Sequence, residues 1–164
     1  MIVASDTSPI SNLFVIGKLG LLRDIYQHII VPQAVYNELM KLKAFGYAIE
    51  EIDKLDWIIV KKPSNPQQVL LLRISLDAGE SEAIVLSQEI NAELLLIDER
   101  AGAKKAKELG LKTIGLLGVL VKAKELGLID SLKSILDELQ ERAGFWIGAK
   151  LKKEILEFVG EEIG

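Results

Sequence analysis

Apolar runs that end on a carboxylate leave this chain few folds to choose from. Residues 79–100 read GESEAIVLSQEINAELLLIDER; Leu94 to Ile97 make a strand-like run that ends in Asp98, and eighteen positions earlier Glu80 opens a helical segment behind the breaker Gly79. In an open parallel sheet the carboxyl ends of strands and the adjoining helix starts face one crevice, so these two acids are expected to converge. The amino terminus repeats the pattern: Ile2, Val3 and Ala4 are apolar, Asp6 follows, and Thr7, Ser8 and Pro9 suit a turn and a helix start. Two strands thus each deliver an acid to the same rim.

The remaining segments alternate in the same sense. Helical patterns run from Ser11 to about Ile16 and from Leu19 to Tyr26, separated by Gly17. The run His28 to Val31 leads through Pro32 into a helix to about Lys43, with Val35, Leu39 and Leu42 on one face and Glu38 near its middle. Taken alone, Glu38 has the ordinary reading of a solvated helix residue. A third strand is expected at Trp57 to Lys61, a loop at Lys62 to Gln67, a helix from about Gln68 to Ser75, and a break at Asp77-Ala78-Gly79. After the helix from Glu80 come a strand at Glu93 to Ile97, a Lys-rich helix at Ala101 to Leu109 and a short strand at Lys112 to Ile114. This βα order predicts an α/β fold, a three-layer α/β/α arrangement around a short parallel sheet of about four to five strands. Beyond Gly115 the patterns Leu116 to Leu126, Ile129 to Arg142 and Lys150 to Val159 are helical. The expectation is one domain over residues 1–164, with a core at 1–126 and a C-terminal helical extension at 127–164.

Composition removes several kinds of chemistry. A length of 164 residues with 49% hydrophobic content suits one filled core. The absence of Cys excludes disulfides, thiolate zinc sites and a Cys nucleophile, and the single His28 cannot build a His-rich metal site. Net charge is −4, from 20 basic and 24 acidic residues, so a broad basic footprint is missing; a local one beside an acidic site is still compatible. No Gly-rich phosphate loop follows the first strand. With no signal-peptide pattern and no apolar run of about 18 to 20 residues, the expectation is a soluble, cytoplasmic protein without membrane attachment.

Some acids must fall near strand ends by chance. Glu80 and Glu82 also suit a helix N-terminus, and Asp98 also suits a cap. The joint arrangement is what singles them out. The segments IVASDTSPISNL, IIVPQAVYNEL, LDAGESEAIVL and LLLIDERAGAKKAKELGLKTIGLLGVL together resemble the PIN-domain ribonucleases, specifically a VapC-like branch whose third motif reads Gly-Glu-x-Glu-Ala. The likeness runs from residue 1 to about 126.

That resemblance implies a site. The family's four acids match Asp6, Glu38, Glu80 and Asp98 in turn, as catalytic residues and as ligands of Mg²⁺ or Mn²⁺. Glu80 is preferred to Glu82 because its eighteen-residue interval to Asp98 is the family's usual one, and it stands where many PIN domains have Asp. Thr7, Ser8, Glu82 and Glu99 are secondary candidates, each equally suited to a plain helix-start role. Two carboxylates 4 Å apart cost about 4 kcal/mol at an effective dielectric near 20, which a divalent cation relieves, and an all-oxygen ligand set suits Mg²⁺ or Mn²⁺. The implied reaction is hydrolysis of RNA phosphodiester bonds, single-stranded or structured, giving 5′-phosphate and 3′-hydroxyl ends. Arg100 and Lys104, one helical step of four apart, are candidates for holding the RNA backbone, a solvated basic face being the ordinary alternative. The resemblance further implies the toxin of a toxin-antitoxin pair, a homodimer restrained by a small antitoxin. The alternative is a PIN-fold nucleic-acid-binding or regulatory protein with little catalysis.

Overall fold

The computed structural model describes residues 1–161. Five strands form one parallel sheet: β1 (Val3–Ser5), β2 (Ile29–Pro32), β3 (Ile58–Lys61), β4 (Leu94–Leu96) and β5 (Thr113–Ile114), in the order β3-β2-β1-β4-β5. The central strand β1 pairs Ala4 with Ile30 on one side and Val3, Ala4 and Ser5 with Leu94, Leu95 and Leu96 on the other. Successive strands step outward from β1 in one direction, and the chain then returns to β4 on the opposite side. The reversal between β1 and β4 creates a switch point, where helices leave the sheet to opposite sides and a crevice opens at the strand carboxyl ends.

Side chains alternate across the pleat and seed two apolar layers. Val3 and Leu96 face the larger layer, built with α1 (Thr7–Val15), α2 (Gly20–Tyr26), α3 (Gln33–Met40) and α7 (Leu116–Glu125). Ala4, Leu95 and Ile97 face the other, built with α4 (Pro66–Leu72), α5 (Ala78–Glu89) and α6 (Arg100–Glu108). The strands are therefore covered on both sides, which explains why they read as continuous apolar runs instead of alternating ones. Leu132, Ile135, Leu136 and Leu139 of α8 (Leu132–Arg142) enter the larger layer, as does Leu156 of α9 (Ala149–Phe158). An Asp137 carboxylate bonded by Lys133 and Lys152 ties α9 to α8, and Glu161 accepts from the free amides of Leu132 and Lys133 at the start of α8.

Several boundaries differ from those the sequence suggests, for local reasons. The first helix begins at Thr7, not Ser11, because Pro9 fits in its first turn, where its missing N–H is no loss. Helix α3 ends at Met40 and continues as a 3₁₀ segment, Lys41–Phe45. A second 3₁₀ segment, Ile49–Lys54, buries Ile49 and Ile52 where no element was expected. Asn65 caps α4 by accepting from the Gln68 amide, moving its start to Pro66. Gly79 is not a breaker: Asp77 is the cap of α5, and Gly79 lies inside the first turn. Trp146 is 84% exposed, whereas its neighbour Phe145 packs on the larger layer. Among the described residues, no helix is long and apolar enough to cross a membrane.

The fully buried Leu136 offers a test of whether the C-terminal helices fold with the sheet. Leu136→Ala is expected to cost about 2–5 kcal/mol and to leave a single urea transition at a lower midpoint. A wild-type transition that splits in two would show α8 and α9 to be a separate unit.

Candidate active site

Asp6 stands one residue past β1, where its amide still bonds to the Leu96 carbonyl at 2.8 Å and so extends the β1/β4 pairing. It occupies the cap position of α1 without a capping hydrogen bond, which leaves the carboxylate turned to other work. Asp98 lies two residues past β4, across the switch point, and its Oδ1 accepts from the Leu116 amide at 2.7 Å. Its Oδ2 is buried with no hydrogen-bond partner. A buried carboxylate oxygen left unpaired is costly and rare in a folded chain, and it points to a ligand.

Glu38 reaches the same place from α3. Thr7 Oγ1 donates to Glu38 Oε2 at 2.9 Å, linking the first helix start to the third helix. A Cβ added at Gly79 would stand 2.9 Å from Glu38 Oε2, 3.3 Å from Asp6 Oδ1 and 3.5 Å from Thr7 Oγ1. The first turn of α5 thus closes against both acids, where a β-carbon would press on the Glu38 carboxylate and displace it. Glu80, one residue on, is buried, and its Oε2 lies 3.2 Å from the corresponding point at Gly102 of α6.

Glu82 goes elsewhere. Its Oε1 accepts from the Ala34 amide at 3.1 Å, satisfying one of the unpaired donors in the first turn of α3. Ser8 is half-buried, and its carbonyl accepts from Ser11 Oγ. Glu99 is exposed at the cap of α6 and makes no cap bond, while Arg100 and Lys104 are exposed on the same helix and in no ion pair among the described residues.

Asp77 joins the cluster without having been singled out in the sequence. Its Oδ1 accepts from the Glu80 amide at 2.8 Å, half of a capping box. The Asp-x-x-Glu spacing of residues 77 to 80 carries that signal, because a capping box sets its two acids side by side.

Electrostatics follow from this crowding. Burial pushes the Asp6 carboxyl up to about 7; the Thr7 amide pulls it partly back, and the charges of Asp77, Glu38 and Asp98 push it further. Burial likewise raises Glu80 to about 8, helped by a hydrogen bond to Asp77 and by the charges of Asp77, Asp6 and Glu99. Asp98 is raised by burial and held back by the Leu116 amide. Acids on four elements therefore feel one another across one crevice. The donor set is all oxygen, and the orphaned Asp98 Oδ2 beside the buried Asp6 fits a hard divalent cation. Among the described residues, no three acids already enclose a common point as a finished cage.

Comparison with known proteins bears on the fold and the family. A PilT N-terminus domain protein from the hyperthermophilic archaeon Sulfolobus solfataricus P2 is similar in structure, with a TM-score of 0.57 and 24% identity over 75% of this chain and 93% of that one. No curated protein matches. The profile of the family described as DUF3368: PIN domain matches residues 2–161, nearly the whole length, and the chain belongs to the PIN-domain family.

Proposed function

We propose that this protein is a metal-dependent endoribonuclease that hydrolyses RNA phosphodiester bonds. The observation that carries it is the convergence of Asp6, Glu38, Glu80 and Asp98, with one Asp98 oxygen buried and unpaired, at the switch point of the sheet. PIN domains are typically nucleases and usually use divalent metals. Here Asp6 and Asp98 would be the most direct ligands, and Glu38 and Glu80 would complete the set. A Mg²⁺ or Mn²⁺ ion bound there supplies activation of water and neutralisation of charge on the phosphoryl group.

The chain's own residues do the positioning. Thr7 Oγ1 fixes one oxygen of Glu38, and the Leu116 amide fixes one oxygen of Asp98, so each acid keeps its other oxygen for a ligand. Gly79 lets the first turn of α5 come close to Asp6 and Glu38, because it has no β-carbon to press on the Glu38 carboxylate. Arg100 and Lys104, both exposed on α6, which begins two residues after Asp98, would hold RNA phosphates. The resemblance of the four acid motifs supports the further reading that the protein is the toxin of a toxin-antitoxin pair and a homodimer. A small antitoxin would then restrain it by placing a cationic side chain among the same carboxylates.

A second reading, a PIN-fold protein that binds RNA without cutting it, is favoured by the absence of a preformed three-acid cage among the described residues. Cleavage assays separate the two. Asp6→Asn, Glu80→Gln and Asp98→Asn are each expected to lower Mg²⁺- or Mn²⁺-dependent cleavage of single-stranded RNA by about 100-fold or more, the scale of losing one transition-state stabiliser. Glu82→Gln, which can still accept from the Ala34 amide, should cut like the wild type. Equal cleavage by wild type and Asp98→Asn would count against this site, and RNA left intact by a wild type that the metal stabilises would leave the binding reading.

Stability against pH gives an independent check on the metal. Asp6 and Glu80 hold protons more tightly folded than unfolded, since their values rise from 3.8 to about 7 and from 4.5 to about 8. Their contribution is fully present below the unfolded values and is lost as pH climbs through the folded ones. In EDTA, Tm should therefore fall between about pH 5 and pH 8, less steeply in Asp6→Asn. Added Mg²⁺ or Mn²⁺ should raise Tm more at the higher pH, because protons then no longer compete for the carboxylates. A metal-induced rise that is the same at both pH values, or absent, would count against an ion at these acids.

A further inference from the structure

Beside the acids lies a cleft of about 320 Å³ whose two walls differ in charge. One wall is the first turn of α5, with Asp77 and Gly79. The other is a single face of α3 and its 3₁₀ continuation, where Ala34, Asn37, Glu38 and Lys41 follow the three- and four-residue steps of a helix stripe. The opposite face of α3 carries Val35 and Leu39 into the core, so this stripe is committed to the cleft.

Its inner end is acidic, since Glu38 and Gly79 border Asp6 there. Its outer end carries a cation. Lys41 is exposed, makes no ion pair among the described residues, and sits about 4.5 Å along the helix axis beyond Glu38. Asn37 accepts from Gln33 Nε2 through Oδ1, which leaves its amide hydrogens available as donors. The lining has no aromatic side chain on which a base can stack, and alanine and glycine make up its apolar part.

We propose that Lys41, with Asn37, holds the backbone phosphate next to the one at the acids, so that this cleft takes the sugar-phosphate chain of single-stranded RNA and reads no base. This rests on RNA being what the acidic site acts on. Lys41 is a positioning residue in this scheme: it fixes the register of the strand and touches no reacting atom.

The test uses fluorescently labelled single-stranded RNA of mixed and homopolymer sequence. Binding is followed by anisotropy with EDTA present, across about 50–200 mM salt, and cleavage is followed in parallel with Mn²⁺. Lys41→Ala should weaken binding about 10-fold on every sequence, the scale of one charge-assisted contact. The slope of log K against log salt should shrink by about 0.7, one phosphate's worth for a single strand. Lys41→Arg should restore both, the metal-induced Tm rise should not move, and in cleavage KM should rise with kcat nearly unchanged. Binding and slope like the wild type in Lys41→Ala, a loss confined to one base, or a wild type that binds no RNA would each overturn the assignment. The two levels fail differently. A wild type that binds through Lys41 but cuts nothing removes the ribonuclease and keeps the phosphate contact; one that cuts with an unchanged KM in Lys41→Ala does the reverse.

Discussion

Carboxylates crowded at one rim, with Asp6 and Glu80 buried among them, are what the rest of this structure has to tolerate. Asp6, Glu38, Asp98 and the α5 pair Asp77 and Glu80 come from four elements, and the raised proton affinity of Asp6 and Glu80 reports burial first and the neighbouring charges second. The apolar layers on both faces of the sheet force the approach, because the strands that carry Asp6 and Asp98 pair in register only when the two ends meet. Glycine makes the approach sterically possible. Gly79 faces Asp6 and Glu38, Gly102 faces Glu80, and Gly115 faces Asp98, each with a carboxylate oxygen 2.7–3.3 Å from where its Cβ would be. Asp6, Glu38, Glu80 and Asp98 each lie against the bare backbone of a neighbouring element.

That arrangement separates what holds the fold from what the site does. The strands are satisfied by Val, Ile and Leu packed to near-zero exposure, and the switch point between β1 and β4 follows from strand order alone. The acids are added at the rim, where they take stability away until something positive arrives. Hydrogen bonds to Thr7 and Leu116 orient one oxygen each on Glu38 and Asp98 and leave the remainder of the charge uncompensated. Such a rim is poised for a cation in a way that solvated surface acids are not.

Sequence pattern reached part of this and missed the rest for identifiable reasons. Asp6 and Asp98 were legible because an apolar run ending in an acid has one geometric meaning in a parallel sheet, and the five-stranded α/β/α layout followed from the same alternation. Glu38 was not legible from periodicity, since a mid-helix glutamate looks the same whether it faces solvent or Thr7; only the family resemblance drew attention to it. The eighteen-residue interval to Asp98 favours Glu80 over Glu82, and the structure adds a tertiary difference that no interval contains: Glu82 is engaged by the start of α3. Asp77 falls in a segment that reads as a break, because Gly79 reads as a breaker ahead of a helix start at Glu80. In fact the glycine is inside the helix, required by what lies opposite, and no one-dimensional pattern contains the opposite wall.

For a chain of net charge −4, acting on RNA as proposed would pose a sorting problem. Diffuse basic charge is unavailable, so cations must be few and set at fixed offsets from the acids. Lys41 follows Glu38 on the cleft-facing stripe of α3 and its continuation, and Arg100 and Lys104 follow Asp98 on α6. Only the phosphate over the carboxylates would lack a protein counter-charge, which makes it the one place along the RNA where a divalent ion is needed.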